Sequence, residues 1–400
     1  MRNPVLLLAL ALVLLSSPCL GLVRAASAGQ LAKSVAPIQL RVPFVPPAFP
    51  GGGGRAGLAY ELYLTNFRSI EFKLTQIEVF AMEDPTHPLA TFAGSELLAC
   101  VLRPGKPADL ADPDVLRGGE FAVVCLWVTL DPGLSLPPSM AHRATFSRLL
   151  GDGTEKEYVV EGAIVRVPTD VPMTIHPPLP AGRWLMANGP SVLSEHRLFL
   201  QSLDGMASNT QRFAADWMLL GPDGRLVEGD REDNAAWHTH GVPVLAVADG
   251  VVVDVKDGVP ENVALSDERA VPNKRETMTG NYVALKIDDD RFAFYGHLQP
   301  GSLRVKLGDD VHVGQELGRI GNTGNSDAPH LHFHVANGSD PLSGEGVPFV
   351  FTSFELLDEL DVSSWERMLG ENVPWESPAG RQPELLENEM PLGEAIIEFR

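Results

Sequence analysis

Three histidines recur at alternating positions in Pro329-His330-Leu331-His332-Phe333-His334-Val335, directly behind the turn-rich run Gly321-Asn322-Thr323-Gly324-Asn325. In an extended strand successive side chains point to opposite faces, so His330, His332 and His334 share one face while Leu331 and Phe333 share the other. One face then offers ligands and the other packs a core. Imidazole is the commonest metal-ligating side chain, and catalytic zinc sites use three protein ligands plus a water. Metal-assisted hydrolysis is the first chemistry to which these residues point. A solvated strand face is the other meaning of the same alternation.

A strand of this kind needs flanking strands to hold it, and the sequence supplies their signals. Residues 197–201, 212–219, 243–255, 281–287, 291–297 and 318–320 carry strand signals. Tight turns between short strands favour glycine, as at Gly308, Gly314, Gly318, Gly321 and Gly324. Two polar loops, 221–240 and 256–280, interrupt the series, and long loops of this kind border a site or are disordered insertions. Upstream, residues 59–67, 70–80, 121–130 and 158–167 also read as strands, and their spacing predicts an N-terminal β-sandwich of immunoglobulin-like type, with a barrel as the other fit. His87, His142 and His176 lie isolated in or just after this half and read as surface residues.

Four segments occur in one order. They are Val244-Leu245-Ala246-Val247-Ala248-Asp249-Gly250-Val251-Val252, Tyr295-Gly296-His297-Leu298, Gly308-Asp309-Asp310-Val311-His312-Val313-Gly314-Gln315-Glu316-Leu317-Gly318, and Gly324 through His332. Together they resemble the lysostaphin-type zinc metallopeptidases over about residues 182–350. The resemblance implies an all-β chain whose catalytic domain is a folded antiparallel β-sheet, the duplicated hybrid motif. It makes His332 a zinc ligand and His297 and His330 the catalytic pair. Asp216, in Arg212-Phe213-Ala214-Ala215-Asp216-Trp217, matches the family's aspartate ligand. An aspartate set among apolar strand residues is costly to bury alone, which is an independent reason to expect a metal or charge partner.

The remaining ligand departs from the pattern. The family places a histidine four residues before the aspartate, where this chain has Arg212, and a guanidinium stays protonated with no lone pair to give. His196, His238 and His240 are the candidate replacements. Asp204-Gly205 signals a turn, and in a hairpin centred near Met206 residue 196 lies opposite residue 216, which favours His196. A one-residue register change would send it to the other face. His334 is a substrate contact or a neighbour that tunes the ligands, and His312 reads as surface.

At 400 residues the chain is long enough for two domains. Residues 1–28 have the form of a secretory signal, with Arg2, an apolar run from Val5 to Leu15 and the small-residue site Ala26-Ser27-Ala28. That run is too short to span a bilayer, and Pro18 before Cys19 fits a lipoprotein cleavage site poorly. The expected organisation is a sandwich over 29–168, a Pro-rich linker over 169–181, the metallopeptidase domain over 182–350 and an acidic tail over 351–400. Within the tail, residues 354–360 have helical spacing and 395–399 read as a strand. Part of the tail packing on the domain and a disordered tail both remain open. Of the cysteines beyond the leader, Cys100 and Cys125 form an even pair, either a disulfide or two buried thiols. The net charge of −21 disfavours nucleic acid as a partner and argues against docking by bulk electrostatics onto anionic membranes or anionic cell-wall polymers.

The expectation is therefore an exported, periplasmic or secreted zinc metalloendopeptidase. It would cleave peptide cross-links of bacterial peptidoglycan, with a protein partner at the N-terminal domain as a further possibility and no membrane insertion of the mature form. The alternative is a relative without catalysis that binds wall or partner and regulates another hydrolase, which Arg212 favours. A phosphate-accepting carrier of the sugar phosphotransferase system shares a similar sheet, but the export signal argues against it.

Overall fold

The computed structural model describes residues 37–400 apart from 53 and 108, so the expected leader lies outside the described residues. Two five-stranded sheets make the N-terminal unit. The first orders Ile38–Arg41, Ala56–Asn66, Phe121–Leu130 and Val101–Leu102, with Phe49–Pro50 at its side. The second orders Glu155–Arg166, Ser139–Leu149, Phe72–Ala81 and Asp84–Ala93, with Val115–Leu116 added. Leu58, Tyr60, Leu62, Val124 and Leu126 of one sheet meet Leu74, Ile77, Val79, Met140 and Phe146 of the other in a common core. Alternation along each strand puts those residues inward, so a sandwich follows.

The C-terminal unit is built on one eleven-stranded sheet. Its order runs Met173–Ile175, Phe349–Leu360, Glu394–Phe399, Gly182–Ala187, Ala215–Leu219, Leu331–Ala336, Phe292–Leu298, Asn281–Lys286, Gly250–Lys256 and Asp310–Val311, with Glu384–Glu389 paired to Phe349–Leu360. Every neighbouring pair is antiparallel except Met173–Ile175 with Phe349–Leu360. A separate two-stranded sheet pairs Pro243–Leu245 with Glu316–Arg319, and Val244, Leu317 and Ile320 join Leu331, Phe333 and Val335 in one core. Burying each of those large apolar side chains stabilises by about 1.5–3 kcal/mol. A slip of one residue would exchange them for the three histidines, which pins the register.

Four expectations are corrected here. The stretch 169–181 is not a free connector, because Met173–Ile175 joins the sheet and Ile175 and Leu179 are buried. The segment 351–400 is not a tail, because Glu394–Phe399 lies between Gly182–Ala187 and Phe349–Leu360 inside the sheet. The helical spacing at 354–360 belongs to a strand whose register shifts between Leu356 and Asp358, and such a bulge mixes period two with period three to four. His142 is fully buried rather than on the surface, between the Tyr60 hydroxyl at 2.9 Å and the Ala163 carbonyl at 3.0 Å. His87 and His176 are exposed as expected. Cys100 and Cys125 are both buried free thiols.

Candidate metal centre

Strand Leu331–Ala336 carries His332 and His334 on the face opposite its core residues, with His330 just before it. On one side Asp216 is the register partner of His332, and on the other Gly296 is. That pairing brings His332 Nδ1 to 3.1 Å from Asp216 Oδ1. His330 Nε2 lies 3.4 Å from the same oxygen, and His196 Nε2 lies 3.5 Å from Asp216 Oδ2. The ligand atoms of His196, Asp216 and His332 all fall within 4.8 Å of one another.

His196 reaches this point by a route different from the expected one. Residues 195–198 form a single helical turn, Glu195–Leu198, and the hairpin of Gln201–Leu203 with Met206–Ser208 is too short to pair 196 with 216. Asp204-Gly205 does make the turn, with both residues at positive φ. His240 is committed to Glu261 at 2.9 Å, and His238 packs against Gly221. Neither joins the group. Arg212 is turned away into a buried ion pair with Glu61.

A backbone carbonyl fixes the ring nitrogen roles of His196, and one tautomer of the His332–His334 pair extends the same pattern. His196 Nδ1 is 2.9 Å from the Asn188 carbonyl, which requires a proton on Nδ1 and leaves Nε2 as a lone pair facing Asp216. His332 Nε2 is 3.0 Å from His334 Nδ1, and His334 Nε2 is buried without a close hydrogen-bond partner among the described residues. A proton on His334 Nε2 makes its Nδ1 an acceptor for His332 Nε2–H. His332 Nδ1 then also faces Asp216 as a lone pair. Two imidazole lone pairs and a carboxylate converging in a buried place repel one another unless a cation lies among them, so this donor set fits zinc. The structure holds no ligand, and the fit rests on the donor atoms alone.

His297 and His330 stand beside the triad with ring centroids 4.8 Å apart. His297 Nδ1–H donates to the Thr323 carbonyl at 2.7 Å, and His330 Nδ1–H donates to the Ala328 carbonyl at 2.8 Å, so both direct Nε2 into the cleft. His297 holds φ at +61°, a strained value for a residue with a side chain. Backbone bonds to Thr279 and Gly321 lock it there. Burial holds the His297 imidazole well below its ordinary pKa, helped by repulsion from His330 and His332. For His330 burial acts in the same downward direction, but the Asp216 carboxylate outweighs it and the net shift is upward. Asp216 is held well below the usual carboxylate range, its burial overcome by His196 and His330. One neutral base and one imidazole that favours its proton therefore sit side by side.

The cleft over these residues measures about 320 Å³ and is lined further by Phe199, Met278, Arg269, Trp365 and Leu369. His334 is buried behind His332 and stacked on Phe294, while His312 has 83% of its side chain exposed. The roles of Asn188 and Thr323 were not foreseen. Thr323 lies in the Gly-Asn-Thr-Gly turn that preceded the histidines, which was a signal, whereas Asn188 carried none.

Residues 235–343 match the family model described as peptidase family M23. The matched range contains His297, His330 and His332, while His196 and Asp216 precede it. Over 95 residues the chain is 30% identical to an uncharacterized metalloprotease of Buchnera aphidicola subsp. Baizongia pistaciae, covering 24% of this chain and 20% of that protein. Over 103 residues it is 30% identical to the peptidoglycan DD-endopeptidase ShyA of Vibrio cholerae, covering 26% of this chain and 19% of that protein. The match therefore spans a fifth or less of either curated relative. Among solved structures, the catalytic domain of the antimicrobial peptidase lysostaphin from Staphylococcus simulans is 26% identical, with a TM-score of 0.19, and the match covers 32% of this chain and 86% of that one.

Proposed function

Residues 235–343 are a domain of peptidase family M23, and from that premise we propose that the chain is a zinc metalloendopeptidase acting on peptide bonds of bacterial peptidoglycan. The observation that carries the proposal is the convergence of His196 Nε2, Asp216 and His332 Nδ1, which replaces the histidine lost at Arg212. His196, Asp216 and His332 would hold the ion. Bound zinc lowers the pKa of a water toward about 7 and polarises a carbonyl.

The chain's own groups then divide the work. His297, kept neutral by burial, presents Nε2 as the proton acceptor for the attacking water, with its ring fixed by the Thr323 carbonyl. His330, which Asp216 biases toward its protonated form, presents Nε2–H to developing negative charge on the substrate oxygen. Arg269, Trp365 and Leu369 border the cleft and offer a cation and apolar surface to a peptide. Peptidoglycan as the substrate class is carried over from ShyA, and export rests on residues 1–28 alone.

A regulator without catalysis is the reading that Arg212 by itself favours. Its attraction weakens because His196 fills the vacancy. Digestion of purified peptidoglycan by the zinc-loaded chain, with fragments identified by mass, tests the proposal. New peptide termini that vanish on chelation support it, and intact wall in the presence of bound zinc supports the regulator.

A further inference from the structure

Arg212 occupies the position of a missing ligand, yet it is fully buried and strongly engaged. Its Nε and Nη2 donate to the two oxygens of Glu61 at 3.1 and 2.6 Å, Nη1 donates to the Gly346 carbonyl at 2.7 Å, and Nη2 also meets Glu345. Glu61 belongs to strand Ala56–Asn66 of the N-terminal sandwich. The same carboxylate pairs with Arg197, the residue next to His196. Arg197 Nη2 donates further to the carbonyls of Tyr60 at 2.8 Å and Leu126 at 3.2 Å, both in the sandwich, and its own carbonyl accepts from Asn209 Nδ2 at 2.6 Å.

One buried carboxylate thus ties down the segments that deliver two of the three ligands. Arg197 immediately follows His196, and Arg212 lies four residues before Asp216. Helix Glu195–Leu198 is a single turn with no side-chain cap, and one turn cannot hold itself in water. Its place comes from Arg197 reaching across the domain boundary. Arg212 and Arg197 overcome the burial that raises the Glu61 carboxyl and hold it down at about 2, so it remains charged wherever the chain is folded near neutrality.

We propose that Glu61 is a positioning residue for the metal centre, so that the N-terminal sandwich sets the zinc affinity of the catalytic domain through Arg197 and His196. The proposal rests on His196 being a ligand, and its test separates the two claims. Cobalt(II) is titrated into the full-length metal-free chain, and its visible spectrum and the zinc Kd are measured for the native protein and for His196→Ala, Glu61→Gln and Glu345→Gln. Loss of a supporting partner weakens metal binding by about 10–100-fold. Glu61→Gln is expected to raise the zinc Kd by that factor and to shift the cobalt spectrum toward that of His196→Ala. Glu345→Gln, which touches Arg212 but not Arg197, is expected to keep the native spectrum.

A purely structural role for Glu61 would lower the melting temperature and leave the spectrum unmoved, which overturns the proposal. Should Glu61→Gln fail to fold, Arg197→Lys keeps the charge while losing the forked contacts to Tyr60 and Leu126. A native Kd in Arg197→Lys equally overturns the proposal. If His196→Ala shows the native spectrum, His196 is no ligand and the underlying site assignment fails first.

Discussion

At the scale of single residues, three histidines that look equivalent in sequence have three different surroundings. Their period of two was legible because Leu331 and Phe333 alternate with them, and the structure keeps that division of faces. What the pattern did not carry was which nitrogen faces where, since that depends on carbonyls of Ala328 and Thr323 and on His334. His330→Ala is expected to reduce turnover at least 100-fold while zinc content stays near native, whereas His332→Ala loses both, as elemental analysis beside a cleavage assay reads out. Equal zinc loss in the two variants contradicts that division of roles. His142 shows the opposite failure of legibility, because a lone histidine on a strand gives no sign of its depth. Burial lowers its pKa from 6.5 to about 4, with Tyr60 donating to Nε2 and Nδ1–H donating to Ala163. The neutral ring therefore contributes stability above pH 6.5 that is lost as pH falls toward 4, worth roughly 3 kcal/mol in total. His142→Gln is expected to flatten the stability profile across that window in urea unfolding, and an unchanged slope would count against the assignment.

At the scale of elements, some strands dense in β-branched and aromatic residues were readable, whereas Asp84–Ala93 and Ser139–Leu149 were not foreseen. Phe121–Leu130 and Asn281–Lys286 fall within a residue of their expected bounds. His196 was foreseen near Asp216, but the expected strand is a helical turn, because the charged partner of Arg197 lies about 135 residues upstream and leaves no local trace. The C-terminal segment misled through its acidity. Glu384 and Glu387 face outward on Glu384–Glu389, while Ala395, Ile396, Ile397 and Phe399 are at most 2% exposed inside the sheet. Three large side chains of that kind contribute several kcal/mol, on the scale of a whole domain's stability of about 5–15 kcal/mol. Truncation after Gly393 is expected to abolish cooperative unfolding of the C-terminal unit in calorimetry. A truncated chain that melts like the native one would show that the last strand is dispensable.

At the scale of the whole molecule, the two units are joined by buried charge rather than by a free linker. Glu61 has its folded pKa depressed, so its contribution is full above the unfolded carboxyl value of 4.5 and is lost as pH falls toward about 2. Acid is therefore expected to loosen the interface and the metal centre together, and Glu61→Gln to remove the steepest part of that decline in a pH series of melting temperatures. No helix among the described residues is long and apolar enough to cross a membrane, and the sequence carries a net charge of −21. On the proposed reading all of this serves one site, in which Arg212 pairs with Glu61 across the two units while His196 supplies the lone pair. The zinc content of the purified full-length chain after dialysis tests that claim most directly, with His196→Ala measured alongside. One zinc per chain, falling to less than a tenth in the variant at the same free zinc, is the expected result; a folded native chain that retains none, or a variant that retains as much, would contradict it.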